Sequence, residues 1–153
     1  MRATVDSLIL ELISSPNASI GFGCSETEIE FACQTLSTSL PIDYIAFLKA
    51  VGWGGRAHWE FYGAGDGVPL ELDLISETQL ERTDFLPNIP MHLIPIMADG
   101  GGNHYCLDTN AIENGYCPVV FWDHDLGEDQ VPDVMYDSFT EFLDDQLHTV
   151  YEE

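Results

Sequence analysis

The stretch from Ile94 to Leu143 constrains the fold more than any other part of the chain. An apolar segment (Ile94, Ile96, Met97) leads into the turn Asp99-Gly100-Gly101-Gly102, and a second apolar segment follows through Tyr105 and Leu107. A third, Val119 to Trp122, breaks at Asp123-His124-Asp125, and Ser138 then opens a helix whose apolar face is Phe139, Phe142 and Leu143. Short apolar runs joined by glycine turns and closed by a capped helix predict half of an antiparallel sheet with a helix packed on it. No catalytic spacing falls within this stretch, so it points to a binding module before an enzyme.

The first third of the chain reads differently. Val5, Leu8, Ile9, Leu12 and Ile13 recur at helical spacing until Pro16-Asn17. Ser25 with Glu28 forms a capping-box signature ahead of Ile29, Ala32, Cys33 and Leu36. Pro41 fits the first turn of a third helix, with Asp43 at its positive end and Gly52 closing it after Tyr44, Ile45, Phe47, Leu48 and Val51. The period then changes to two: Trp59 and Phe61 alternate with polar neighbours, and so do Leu70, Leu72 and Leu74. A short helix is expected from Ser76, again capping-box paired with Gln79. The prediction is one α+β domain over 1–153, a mostly antiparallel sheet of about five or six strands carrying N-terminal helices and a C-terminal helix.

Charge narrows the function. Twenty-seven acids oppose four bases (Arg2, Lys49, Arg56, Arg82), a formal net charge of −23, and no Lys or Arg follows Arg82. Duplex nucleic acid and anionic membranes both need cations to bind, so neither is an expected partner. A basic protein fits such a field, which accelerates encounter between opposite charges. Solubility alone, or adaptation to high salt, is the competing explanation of the acidity. The last helix reads as ending in Glu152-Glu153, where its dipole favours cations, and acids held at such a cost hint at a use beyond solubility. The same self-repulsion favours a monomer. The N-terminus lacks the apolar core of a signal peptide and no run approaches the ~20 apolar residues of a membrane span, so a cytoplasmic protein is expected. The cysteines Cys24, Cys33, Cys106 and Cys117 form no CxxC pair and are expected reduced, filling apolar positions.

Each chemical motif has a plainer competitor. Asp99-Gly-Gly-Gly102 lacks the ending of a P-loop and joins two strands, so a hairpin needing positive φ accounts for its glycines. Asp123-His124-Asp125 could ligate a metal with Asp99 or His104, or act in acid–base chemistry, but reads more simply as an acidic turn. A zinc set of His104, Cys106, Cys117 and His124 lacks tight ligand pairs. No nucleophile elbow occurs, and Ser138 reads as a helix cap with Glu141. Trp53, within Gly52-Trp53-Gly54-Gly55, either plugs the core edge or serves as an exposed anchor. The loop from Asp123 to Asp133, with five acids in eleven residues, would ring it with charge.

Four motifs in order also carry a family resemblance. Leu40-Pro41-x-Asp43-Tyr44-x-x-Phe47-Leu48, Asp99-Gly-Gly-Gly-Asn103-x-Tyr105-x-Leu107-Asp108, Trp122-Asp123-His124-Asp125 and Ser138-Phe139-x-x-Phe142-Leu143 resemble the SUKH superfamily over roughly Thr27 to Leu147. Asn103 stands where an acid is frequent, and Trp53 interrupts a glycine-rich turn that usually carries Asn. The resemblance implies a non-catalytic immunity protein that binds and neutralises a cognate toxin, and a nuclease with a basic active site matches the acidic surface. It needs no cofactor or metal. The partner-binding candidates are Trp53, Asp99, Asn103, Trp122, Asp123, His124, Asp125, Glu128 and Asp129. A regulatory scaffold for a host protein, and a metal-dependent enzyme using Asp99, His104, Asp123 and His124, are the alternatives.

Overall fold

Helix boundaries follow the local signals closely. A computed structural model describes residues 3–149, and α1 (Val5–Ile13) begins after Thr4, whose hydroxyl accepts the Ser7 N–H. In α2 (Glu26–Leu36) both arms of the Ser25/Glu28 capping box form. Helix α3 (Ile42–Ala50) starts after Pro41, and Gly52, at φ +86°, follows its end. Near the C-terminus, α5 (Phe139–His148) is capped by the Ser138 hydroxyl, which accepts the Glu141 N–H. The expected acidic end of the last helix, Glu152-Glu153, lies outside the described residues.

The strands depart from the single sheet expected. Three short strands, β1 (Ser19–Ile20), β2 (Gly54–Arg56) and β3 (Trp59–Phe61), form one antiparallel sheet. Four more, β4 (Leu93–Ala98), β5 (His104–Asp108), β6 (Val119–Trp122) and β7 (Asp133–Tyr136), form a second in chain order. The two sheets meet where β4 bulges between Pro95 and Met97 and the Ile96 carbonyl accepts the Tyr62 N–H at 2.8 Å. The fold is α+β, with five α-helices among the described residues.

Leu70, Leu72 and Leu74 do not form the expected strand. Leu70–Leu72 is a 3-10 turn following Pro69, and Leu74 already opens α4 (Leu74–Thr83). Proline's fixed φ starts the turn, Leu72 N–H donates to the Pro69 carbonyl, and Leu70 is left 73% exposed, which a half-buried strand would not allow. Helix α4 therefore starts before Ser76, whose hydroxyl donates to Asp73 instead of capping the helix.

The two outermost family motifs converge in the core. Tyr44 and Phe47 of α3 pack on Phe139 of α5 at centroid distances of 5.2 and 5.6 Å, and Phe61 meets Phe139 at 5.0 Å and Phe142 at 5.3 Å. These edge-to-face contacts add to the area that the fully buried rings remove from water. Asp43, 1% exposed, completes the joint: its carboxylate accepts Thr140 N–H and hydroxyl, each at 2.9 Å, and the Tyr44 N–H, also at 2.9 Å. One carboxylate thus serves the positive ends of two helices.

Candidate functional site

The β4–β5 turn and the β6–β7 loop are tied into one acidic end of the second sheet. Asp99 accepts the N–H groups of Gly101 and Asn103 at 2.7 and 3.0 Å, and its second oxygen takes the Asn103 side-chain amide at 2.8 Å. That fixes the Asn103 amide orientation, leaving its oxygen to accept both the His124 N–H (3.1 Å) and Nδ1–H (2.6 Å). His124 Nε2 lies 3.3 Å from Asp125, and the Asp125 N–H donates to Asp123 at 2.9 Å. Gln130 closes the second loop, accepting the Asp123 N–H and donating to the carbonyls of Asp123 and Gly127.

Glycine chemistry makes this approach possible. Gly100 and Gly102 adopt φ of +87° and +96°, as a tight hairpin turn requires. A Cβ on Gly102 would stand 3.0 Å from the His124 ring, so the missing side chain also makes room for the imidazole. Burial pushes the Asp99 carboxyl up, but the Gly101 N–H, the Asn103 amide and backbone and nearby His104 together hold it below the usual range.

A second polar layer lies beneath these loops. The pairing His104↔Trp122 and Cys106↔Val120 puts these four side chains on one sheet face, where Cys106, Val120 and Trp122 form a buried cluster with Leu93 and Ile89. Facing His104, α4 contributes Glu81, whose Oε1 is 3.6 Å from His104 Nδ1, too long for a hydrogen bond. His104 Nε2 stands 3.2 Å from the Tyr62 hydroxyl. Burial lowers the His104 pKa, with Asp99 raising it and His124 lowering it further, and burial with Glu77 raises that of Glu81. Burial thus favours the neutral form of the His104 imidazole. Thr78 and Glu81 escaped the sequence reading because they continue the helical face of Leu74 with polar residues, where an apolar periodicity has nothing to register.

The partner candidates separate into three groups. Asp99, Asn103, Asp123, His124 and Asp125 are brought together as described, and Glu128 and Asp129 lie exposed on the same β6–β7 loop. Trp122 is 1% exposed, so it supports this surface from below and does not present itself to a partner. Trp53 lies elsewhere, at the margin of the other sheet. It is half-buried against the core, its indole so close over Gly21 that a Cβ there would come within 2.3 Å of Nε1. Gly54 and Gly55, expected as loop, belong to β2.

The four residues of the metal-enzyme alternative do not converge. Among the described residues, the one group of three or more whose potential ligand atoms all lie within 4.8 Å of one another is Asp123, His124 and Asp125. Asp99 is occupied by backbone and Asn103, and His104 is turned toward Tyr62 and Glu81. The proposed zinc set is likewise dispersed, and burial raises the thiol of Cys117 to about 12. All four cysteines are free thiols, Cys24, Cys106 and Cys117 buried and Cys33 partly so. Among the described residues no helix is long and apolar enough to cross a membrane.

The described cations do little to neutralise the acids. Lys49 pairs with Glu26 at 3.2 Å. Arg56 donates to the Ser15 hydroxyl and the Leu147 carbonyl, and Arg82 to the carbonyls of Leu36 and Met91. Both arginines are spent on joining elements, and the strands and loops of the second sheet carry no Lys or Arg of their own.

Known structures share this arrangement of elements. A crystal structure of a protein from Pseudomonas syringae pv. tomato superimposes with a TM-score of 0.69 over 94% of this chain and 99% of that one, at 19% identity, a likeness of fold alone. The family model described as SMI1-KNR4 cell-wall matches residues 6–148, spanning all four motifs and the joint that Asp43 makes between α3 and α5. With nearly its whole length matched and the motifs meeting in space as described, the chain belongs to the SMI1-KNR4, or SUKH, family.

Proposed function

We propose that the chain is an immunity protein that binds and neutralises a cognate toxin bearing a basic surface, with a nuclease as the toxin class that fits. One observation carries this reading: the Asp99–Asn103–His124–Asp125 network holds an acidic surface in fixed geometry, and no Lys or Arg of the second sheet faces it. Preorganised acids lose little entropy on meeting a partner and attract cations from a distance. A nuclease active site holds phosphates and is therefore cationic, so occupancy by this surface would block it without chemistry from the inhibitor.

The test is co-expression of the toxic domain encoded beside this gene, with and without the protein. Survival together with a one-to-one complex is the expected result. Association of that complex should slow by at least about tenfold between low and high salt, because screening removes steering before it removes contact. Death despite soluble expression, with no complex, would refute the reading. Membership of a family described by its cell-wall proteins favours a regulatory scaffold as the second reading, with a host protein on the same surface.

A further inference from the structure

The second sheet has one protected edge and one open edge. At the protected edge, β4 receives the Tyr62 N–H through the Ile96 carbonyl. At the other, among the described residues, β7 pairs with β6 alone, so one row of its peptide groups has no described strand beside it. Edge strands usually defend themselves with Lys, Pro or a bulge. Here Pro132 precedes the strand, and the shift from Val119↔Tyr136 to Val120↔Val134 makes Met135 a bulge. These devices keep the edge to four residues, about 13 Å at strand rise, and do not cover it. Val134 and Met135 are 59% and 46% exposed, and Val131 just before them is 91% exposed.

We propose that this edge of β7 seats an extended basic segment of the partner protein, an inference that rests on the reading of the chain as a binder of a cationic protein. The apolar side chains of Val131, Val134 and Met135 would meet apolar residues of that segment, and its flanking Lys or Arg would meet acids at both ends. Glu128 and Asp129 stand before the strand, and Asp133 opens it. After it, Asp137, Asp144 and Asp145 line an open groove of about 1000 Å³ with Tyr116 and Tyr136. Charge selects this occupant over a second copy of the chain. Antiparallel pairing of two β7 edges would bring Asp133 of each copy toward the Asp137 end of the other, acid against acid. Strand addition supplies main-chain affinity, and the flanking charges supply selectivity.

The probe is a ten-residue peptide alternating Lys and Val, with a Glu–Val peptide of the same length as control, titrated into the full chain and followed by amide NMR. Shifts confined to 131–137 and the groove residues, with affinity falling at least about fivefold as salt rises, are expected. Val134→Lys, an exposed change that places a like charge at the centre of the seat, should weaken binding at least tenfold, whereas Glu30→Lys on α2 should leave it unchanged. Shifts scattered over all acidic segments, equal loss in both variants, or no binding would overturn the proposal. So would concentration-dependent self-association that Val134→Lys abolishes. Toxin rescue separates this inference from the broader reading: if Val134→Lys protects cells and forms the complex as well as the native chain, the seat is wrong and the immunity reading stands. If the native chain fails to bind the toxin while the Lys–Val peptide still seats on β7, the immunity reading fails and the seat stands.

Discussion

Removing the Asp43 carboxylate should cost more than any surface acid in this very acidic chain. Asp43→Ala leaves two helix-start N–H groups, of Tyr44 and Thr140, and the Thr140 hydroxyl without their acceptor. A buried donor left unmade costs about 1–3 kcal/mol, and partial access of water to Thr140 places the total near 3 kcal/mol. In a chain of this size that corresponds to a fall in Tm of about 6–12 °C. Asp43→Asn keeps one acceptor oxygen but loses the charge that favours both helix ends, so about half that loss is expected. Urea unfolding of the native chain, both variants, Thr140→Val and the Asp43→Ala/Thr140→Val pair measures the joint directly. The coupling between the two positions should be on the order of 1 kcal/mol. An Asp43→Ala loss below about 1 kcal/mol, or a coupling of zero, would refute the argument that this carboxylate joins α3 to α5.

Two further outcomes follow from the acidic end of the second sheet. Asn103→Ala removes both the amide that Asp99 accepts and the oxygen that holds His124, so amide exchange across the β4–β5 turn should quicken and the Asp99 carboxyl should titrate higher. Unchanged exchange and an unchanged Asp99 titration by carboxyl NMR would show the network to be incidental. Burial depresses the pKa of His104, so the unfolded chain takes up its proton first and this residue withdraws stability as pH falls through about 6.5. His148, raised by Asp144 and Glu11, works the other way, adding stability below that pH that is lost as pH rises through its folded pKa, and Glu81, raised by burial, is relieved by acid. The informative quantity is therefore a difference: His104→Gln should gain stability relative to the native chain between pH 7 and pH 5, and a pH-independent difference would contradict a buried neutral imidazole.

Much of the fold was legible because its signals are local. The Ser25/Glu28 box, the Ser138 cap and the recurrence of Leu8, Ile9 and Leu12 each depend on residues within two helical turns, and each appears where expected. The Asp99–Asn103 hairpin was equally readable, since the positive φ its turn requires favours glycine, which stands at both such positions, Gly100 and Gly102. Leu70, Leu72 and Leu74 misled because alternation is shared by a strand and by a turn running into a helix, and only Pro69 marked the difference.

The candidate site was legible as a list of acids and illegible as a surface. By itself, the sequence determined the charge, the turns, the caps and the aromatic residues of the core, all of which are properties of composition or of neighbours along the chain. The tertiary structure decided which acids stand together, that Asn103, bonded to Asp99, meets His124 across 21 residues, that Trp122 faces inward, and that α4 brings Glu81 against His104. It also decided that, among the described residues, seven strands divide into two sheets with β7 at the end of the second. Strand partnership and burial are set by contacts between distant segments, whose loop-closure cost is recovered only when the whole core assembles, and no local pattern records that outcome.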